Sequence, residues 1–214
     1  MKMKDFPVFT TEYGVATLVL KEVPYRQIAY IIIQSSEQPE ELLKECISFC
    51  RMVGAEKIYA RGHAFLETYP QHCIVYEMRG SIPVDSEKIE NLWPVTEETV
   101  GKWRQLLNER MANIDNAATL EKKDEKDILT KGGAYFVHRA GKLLGAGWLT
   151  DEELQLIVSF EPGMGERVLH SLLSVTCPEQ IRLDVVSTNH RAVRFYEKMG
   201  MIITNDQRRW YQVL

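Results

Sequence analysis

Short apolar strands and one amphipathic helix alternate along the first 88 residues. The stretches "GVATLVLKEV" and "RQIAYIIIQ" are rich in β-branched residues and flank a turn at Pro24, a pattern that predicts two strands. In "QPEELLKECISFCRMVGA" apolar residues recur at helical spacing between Pro39 and Gly54, which predicts a helix. Two further strands are predicted in "EKIYAR" and "CIVYEMRGSI", giving the order β-β-α-β-β.

A second unit is predicted beyond the polar connector "PVDSEKIENLWPV". It opens with the helix "VTEETVGKWRQLLNERM", for which Thr96 is the expected N-cap. A charge-dense segment with a second short helix follows. Strands are predicted in "GAYFVHRAGKLLGAGWL", folded around Ala140 and Gly141, and in "ELQLIVSF". The sequence after these strands predicts a glycine loop followed by a helix, the strand "IRLDVV", a last helix, and two short strands around Asn205 and Asp206.

This order of elements predicts an α/β or α+β fold, with a mixed sheet flanked by helices. The change of pattern places a domain boundary near residue 88. Residues 1–88 are expected to form an N-terminal α/β subdomain, and residues 89–214 a second domain.

Charge and hydropathy narrow the function classes. The chain has 26 basic and 30 acidic residues and a net charge of −4, so no basic excess argues for nucleic acid. No apolar run follows the lysines of the amino-terminal segment, and "QIAYIII" is too short to span a bilayer. A cytoplasmic protein without a membrane partner is expected.

The cysteines are expected to be buried free thiols, because the chain is long and shows no secretion signal. They are Cys46, Cys50, Cys73 and Cys177. Their spacing, even when His63 and His72 are included, does not match a zinc pattern. No metal site is therefore expected.

The segment "FEPGMGERVLHSLL" places Gly163 and Gly165 between a predicted strand and a predicted helix. Glycines there allow a sharp turn and a close backbone approach, and the free N–H groups of a helix start can bind phosphate. Arg167 adds a cation. The Gly-Lys-Ser/Thr ending of a Walker loop is absent, and Val168 occupies the third glycine position of a dinucleotide fingerprint. A plain connecting turn and a phosphate site both remain open.

The last predicted helix lies in "TNHRAVRFYEKMGM". Its apolar residues fall at i, i+3, i+4 and i+7, Asn189 can cap its start, and Gly200 can end it. Tyr196 lies on the apolar stripe, where a core tyrosine is the simplest interpretation.

Together these two segments resemble the GNAT acyltransferase superfamily. The late motif of that family, Asn-x-x-Ala-x-x-Phe/Leu-Tyr-Glu-Lys-x-Gly-Phe, is matched by Asn189, Ala192, Phe195, Tyr196, Glu197, Lys198 and Gly200, with Met201 replacing the final aromatic residue. The glycine loop is similar to the pyrophosphate-binding segment Arg/Gln-x-x-Gly-x-Gly/Ala. Phe160 stands where that segment has Arg or Gln.

The resemblance covers residues ~90–214 and implies a GNAT-like sheet, mixed but mostly antiparallel. Residues 1–88 carry no motif of the family. They are expected to be either a degenerate GNAT-like half of a tandem arrangement or an unrelated cap.

The implied activity is N-acyl transfer from acetyl-CoA to an amine, directly and without a covalent enzyme intermediate. The alternative is a non-catalytic acyl-CoA-binding module, and a weaker third possibility is a structural or interaction protein. The implied acceptor is a small-molecule or peptide amine, and a homodimer is the suggested assembly.

The resemblance also implies roles for single residues. Backbone groups around Val158 and Phe160 would bind the pantetheine arm, and Asn189 would hydrogen-bond it. Tyr196 would be the general acid. Glu153 would be the base through a water, or else a solvated turn residue, with His138 and His190 as alternative bases. The pyrophosphate would be bound by the backbone N–H groups of Gly163, Gly165, Glu166 and Arg167.

Overall fold

The computed structural model describes residues 7–214, with Asn205 and Asp206 described only as strand backbone. Residues 1–6, which carry the amino-terminal lysines used in the argument about targeting, lie outside the described residues. The chain divides into two compact units. The first comprises Met1–Val75 with Gln207–Leu214, and the second comprises Tyr76–Asp206.

The first unit contains four complete strands, the start of a fifth and two helices. They are β1 (Val8–Thr11), β2 (Gly14–Val19), α1 (Val23–Arg26), β3 (Ile28–Ser36), α2 (Pro39–Met52), β4 (Lys57–Arg61) and β5 (Gln71–Gly80), with a 3₁₀ turn at Ala64–Thr68 before β5.

Helix α2 forms where the sequence predicts a helix. Pro39 occupies its first turn, where a missing N–H costs nothing, and two glutamates there favour the positive end of the helix dipole. Its buried face includes Leu42, Leu43, Cys46 and Cys50, which pack in one core with residues of β2, β3 and β4. The parallel pairing of β3 with β4 makes this a β-α-β crossover.

The second unit contains the end of β5 and the elements that follow it, up to Asp206 within the last strand, whose remainder belongs to the first unit. They are β6 (Asn91–Pro94), α3 (Val100–Met111), α4 (Asp124–Lys131), β7 (Ala134–Arg139), β8 (Lys142–Thr150), β9 (Glu153–Ser159), α5 (Gly165–Leu173), β10 (Ile181–Val186), α6 (His190–Lys198) and β11 (Ile202–Gln212), with a 3₁₀ turn at Ser86–Lys88 before β6.

Strands β6, β7, β8 and β9 are antiparallel neighbours, and β10 is parallel to β9. On the other side of β10 come β5 and then β11. The boundary between the units falls within β5 and β11, and the last residues of β11 pair with β4 in the first unit.

The helices of the second unit pack on two faces of its sheet. Because successive strand residues point to opposite faces, Ala146 and Trp148 of β8 join the core that contains Trp103 of α3 and Ile128 of α4. The intervening positions of β8 face α5. The indole Nε1 of the fully buried Trp103 donates to the Tyr135 carbonyl of β7 at 3.2 Å, which anchors α3.

Two glycines of β8 allow α5 to approach the sheet closely. A Cβ atom at Gly145 would lie 2.5 Å from the Val158 carbonyl oxygen and 2.5 Å from a Val168 methyl group. One at Gly147 would lie 2.4 Å from a Leu172 methyl group. The glycines therefore set the depth at which α5, and the loop before it, are held.

Gly145→Ala is expected to lower the free energy of unfolding by about 1–3 kcal/mol, because neither the carbonyl nor the packed helix can move without strain. Chemical denaturation measures it. The matched control is Gly101→Ala in α3, where the nearest atom to a new Cβ is 3.7 Å away. Alanine should stabilise that helix slightly. Equal stability of the Gly145 variant and the wild type would contradict the close packing.

The predicted fold class is confirmed: the sheet is mixed, mostly antiparallel and flanked by helices. Several details were wrong or missed. Strands β1 and β6 were not predicted, β11 is one strand where two were predicted, and the N-cap of α3 is Thr99 instead of Thr96. The domain boundary at residue 88 stays a prediction, whereas the compact units divide at residue 75.

Candidate active site

Strands β9 and β10 lie side by side at one end only. The one register pair between them joins Arg182 to Glu153. At that end the Arg182 guanidinium lies 2.8 Å from a Glu153 carboxylate oxygen. Beyond it, β9 stays paired with β8 as far as Ser159, whereas its other edge has no β10 partner among the described residues. A free strand edge presents unpaired backbone donors and acceptors, so this part of β9 can pair with a ligand that offers backbone-like groups.

A tight turn connects the open end of β9 to α5. The Ser159 hydroxyl donates to the Glu161 carbonyl at 2.6 Å, and the Met164 N–H donates to the same carbonyl at 3.3 Å. Gly163 has φ +79°, in the left-handed region, and nothing lies within 4 Å of where its Cβ would be. This glycine therefore supplies the turn geometry and leaves open space beside it.

The first turn of α5 has free backbone donors. Met164 is the N-cap residue and its side chain makes no capping hydrogen bond. The first N–H with a partner inside the helix is that of Val168, bonded to the Met164 carbonyl at 2.9 Å. The N–H groups of Gly165, Glu166 and Arg167 therefore have no helical partner, which is the usual arrangement for binding an anion.

The side chain of Glu166 is neutralised by two lysines. Its carboxylate lies 2.8 Å from the Lys88 ammonium and 3.7 Å from that of Lys198. The hydrogen bond from Lys88 holds the pKa of this carboxyl below its ordinary value, against a small opposing effect of burial. The backbone of Glu166 can therefore face an anion without a bare carboxylate beside it.

The side chain of Arg167 is directed to a buried carboxylate. Its Nη1 lies 2.9 Å from Glu90 Oε1 and donates to the Glu87 carbonyl at 3.1 Å. Glu90 also pairs with Arg139, and that hydrogen bond is the main reason why its pKa is lowered. Arg167 therefore lies in the first turn of α5, as the sequence suggests, with its guanidinium paired to Glu90 and its backbone N–H at the helix start.

Phe160 lies between the end of β9 and the glycine turn, and it contacts the cationic side chain of Arg110. The Arg110 guanidinium, from the last turn of α3, donates to the Phe160 carbonyl at 2.7 Å and lies 5.5 Å from the centre of the Phe160 ring. No local sequence pattern predicts this contact, because the two residues are fifty positions apart. Val158, two residues before Phe160, is buried and pairs with Ala146 of β8.

Helix α6 contacts the first turn of α5 through Phe195. The Asn189 side-chain oxygen accepts from the Ala192 N–H at 3.2 Å, so the predicted N-cap is confirmed. This bond leaves the two amide N–H donors of Asn189 unused. A Cβ at Gly165 would lie 3.8 Å from the Phe195 ring, which places the two helices in contact at this point.

Tyr196 is the buried polar residue of α6. It is 7% exposed and packs in the same cluster as Leu183 and Val185 of β10. Its hydroxyl has no hydrogen-bond partner among the described residues. Burial raises the pKa of Tyr196 above its ordinary value, which keeps the phenol protonated at neutral pH. The hydroxyl oxygen is not among the fully buried polar atoms that lack a partner, so a ligand can reach it and hydrogen-bond to it.

The three predicted bases lie on three different elements, β9, β7 and α6. Glu153 starts β9, six residues before Ser159, a separation of roughly 20 Å along a strand, and its carboxylate is held by Arg182. His138 lies on β7 with its ring 5.7 Å from that of the exposed Trp93. His190 is exposed in the first turn of α6.

His170 couples α5 to the segment before β6. This 3% exposed imidazole accepts the Asp85 N–H at Nδ1, 3.3 Å away. Burial is the main cause that lowers its pKa; Lys88 acts in the same direction, and Glu166 and Asp85 act against it. Because the unfolded chain binds this proton more readily, we expect the free energy of unfolding to fall as the pH drops below about 6.5.

Chemical denaturation between about pH 8 and about pH 5 tests this expectation. His170→Gln keeps a hydrogen-bond acceptor and removes the titration, so its stability should depend less on pH over this range. An unchanged pH dependence in the variant would contradict it.

The described residues do not form a metal site, and the buried Cys46 and Cys50 are not activated thiols. Within residues 7–214, no group of three His, Cys, Asp or Glu side chains could hold a metal ion. Burial raises the pKa of Cys46 to about 12 and that of Cys50 to about 11, so both thiols are poor nucleophiles at neutral pH. Cys177 is exposed, contrary to prediction. None of the described helices is long and apolar enough to cross a membrane.

At the level of sequence, no protein-family model and no curated protein matches this chain. Solved structures do match its fold. A GCN5-related N-acetyltransferase from Sphaerobacter thermophilus superposes with a TM-score of 0.55 at 11% identity, over 92% of this chain and 75% of its own. A GNAT-family acetyltransferase from Colwellia psychrerythraea gives 0.52 at 15% identity, over 96% and 83%.

A third match is a tandem GNAT protein from the clavulanic acid biosynthesis pathway. It has a TM-score of 0.53 at 10% identity and covers 94% of this chain and 78% of its own. Identities this low show the fold alone. The open pair of strands, the glycine turn and the matching structures agree, and the fold of this chain is that of the GNAT (GCN5-related N-acetyltransferase) superfamily.

Proposed function

We propose that this protein is an N-acyltransferase that moves an acetyl group from acetyl-CoA to an amine in a ternary complex. The observation that carries the proposal is that β9 and β10 pair only at Glu153 and Arg182, which leaves the rest of that edge of β9 without a β10 partner among the described residues. The open end of β9 leads to a helix start with three free N–H groups. A long ligand with a backbone-like arm and an anionic end suits this arrangement.

In the proposed complex, the pantetheine arm of acetyl-CoA lies along the free edge of β9, near Val158 and Phe160. Its amides can exchange hydrogen bonds with the strand, as an added strand would. The pyrophosphate lies against the N–H groups of Gly165, Glu166 and Arg167, beside the open space at Gly163. The Asn189 amide donates to the pantetheine.

The reaction breaks the thioester C–S bond and forms an amide C–N bond. The amine nitrogen attacks the carbonyl carbon with its lone pair, after losing a proton to a base. As the C–N bond forms, the nitrogen loses its remaining extra proton to solvent. The electron pair of the C–S bond leaves with sulfur, and we assign delivery of a proton to that thiolate to Tyr196, which solvent then reprotonates. Its buried, protonated and unpartnered phenol supports the role of general acid.

The base is assigned with less support from geometry. Glu153 stays the proposed base, acting through a water, but its ion pair with Arg182 also suits a purely structural role. His138 and His190 remain the alternatives. Because burial raises the pKa of the Cys46 and Cys50 thiols, direct transfer is preferred over an acyl-cysteine at either residue.

The proposed acceptor is a small-molecule or peptide amine, in a cytoplasmic protein that is proposed to form a homodimer. We also propose that residues 1–88 are a degenerate GNAT-like half, because structural matches cover more than nine-tenths of the chain and one of them is a tandem GNAT protein.

The second candidate is a non-catalytic acyl-CoA-binding module. The Glu153–Arg182 ion pair favours it, since a base held by a guanidinium is less available. Release of free thiol from acetyl-CoA, measured with a panel of amines, separates the two functions. Amine-dependent release supports the transferase. Binding of CoA without release of thiol for any amine supports the binding module. If millimolar CoA does not raise the melting temperature, neither function holds.

A further inference from the structure

We propose that Arg110 binds the pyrophosphate of CoA, taking the place of the Arg or Gln that Phe160 replaces in the glycine loop. This assignment rests on the proposed function. In this assignment, the polar side-chain contact to the pyrophosphate comes from the last turn of α3 instead of from the glycine loop.

The contact between Arg110 and Phe160 holds the guanidinium at the entry to the loop. The hydrogen bond to the Phe160 carbonyl is 2.7 Å long, and the guanidinium carbon lies 5.5 Å from the ring centre. Two contacts of different kinds to one residue fix both the position and the plane of the group. Phe160 itself is three residues before Gly163, so the cation lies at the start of the turn that leads to the free N–H groups.

The charges around the loop single out Arg110. Within the part of the chain that the structure describes, the basic side chains that form an ion pair or hydrogen bond with residues 160–166 are Lys88, Lys142, Lys198 and Arg110. Both Lys88 and Lys198 pair with Glu166, and Lys142 lies 3.1 Å from a Glu161 carboxylate oxygen. Among the described residues, Arg110 has no carboxylate partner. It is therefore the cation of this group that is free to pair with an incoming anion.

The guanidinium has the donors that a phosphate needs. It carries five N–H groups, of which one is used by the Phe160 carbonyl. Arginine binds phosphate through two parallel hydrogen bonds, and an exposed guanidinium that is already held in place loses little freedom on binding. Arg167 does not compete for this role, because Glu90 holds its side chain.

Titration calorimetry with CoA tests the assignment in the full-length chain. Arg110→Gln is expected to raise the Kd for CoA about tenfold or more, the usual loss for a charge-assisted hydrogen bond. Arg110→Lys should recover part of the affinity, since it keeps the positive charge but not the two parallel N–H donors of the guanidinium. Lys102→Gln is the matched control, because Lys102 is an exposed cation of the same helix and its loss should leave the Kd unchanged.

3′-Dephospho-CoA identifies the phosphate. An equal loss of affinity for CoA and for 3′-dephospho-CoA supports the pyrophosphate, whereas a loss seen only with CoA would overturn that assignment. The proposal also fails if Arg110→Gln binds CoA as tightly as the wild type, or if Lys102→Gln loses as much. Wild-type protein that does not bind CoA would refute the proposed function itself, so the two failures are distinct.

Discussion

Tyr196→Phe is expected to lower kcat for acetyl transfer by about 100-fold or more, the usual contribution of a general acid. The phenol is buried in α6, it is protonated at neutral pH, and its hydroxyl has no partner among the described residues. In the proposed complex this hydroxyl meets the departing sulfur. Without it, the thiolate has to leave unprotonated.

The same variant should change neither stability nor CoA binding. Removing a buried hydroxyl that bonds to nothing leaves no partner unsatisfied, so the phenylalanine ring fills the site at little cost. Steady-state kinetics, thermal unfolding and calorimetry measure the three quantities. Tyr211→Phe is the control, a buried tyrosine of the first unit whose change should leave kcat as it is. An unchanged kcat in Tyr196→Phe would exclude the assigned acid.

A fragment of residues 89–206 is expected not to fold, whereas residues 76–206 should. The second unit depends on Met78 of β5, which is fully buried, and on Ile82, which is 6% exposed, and both pack in its core. Deleting side chains of this kind costs about 2–5 kcal/mol each. Losing two approaches the whole stability of a typical domain, about 5–15 kcal/mol.

Strand β5 also fits closely against the chain that follows α6. A Cβ at Gly80 would lie 2.9 Å from the Gly200 carbonyl oxygen and 2.9 Å from the Met201 Cα. Far-UV circular dichroism with heating compares the two fragments, and Met78→Ala in the full chain tests the same core without truncation. Cooperative melting of residues 89–206 at the temperature seen for 76–206 would show that this strand is dispensable.

The sequence predicted elements best where local signals agree. Asn189 and the apolar stripe of α6 define a helix by capping and period together, and the turn at Ala140 and Gly141 marks the hairpin of β7 and β8. Strands β1 and β6 have only four residues each, and β6 ends in Pro94. Segments so short carry too few positions for a period to appear.

For the candidate site too, features carried by local sequence signals were predicted and contacts between distant segments were not. The glycine turn and the residues of α6 were recognised because a motif carries them in order along the chain. The contacts that decide their chemistry join distant segments: Arg110 meets Phe160, Arg167 meets Glu90, and Glu153 meets Arg182. No local pattern encodes such pairs, since tertiary packing alone brings them together.

The most direct test of the account is a structure of the protein with acetyl-CoA bound. The account predicts the pantetheine between β9 and β10, with the pyrophosphate at hydrogen-bond distance from the N–H groups of Gly165, Glu166 and Arg167, and the thioester sulfur beside the Tyr196 hydroxyl. Acetyl-CoA bound elsewhere, or a sulfur remote from Tyr196, would contradict it.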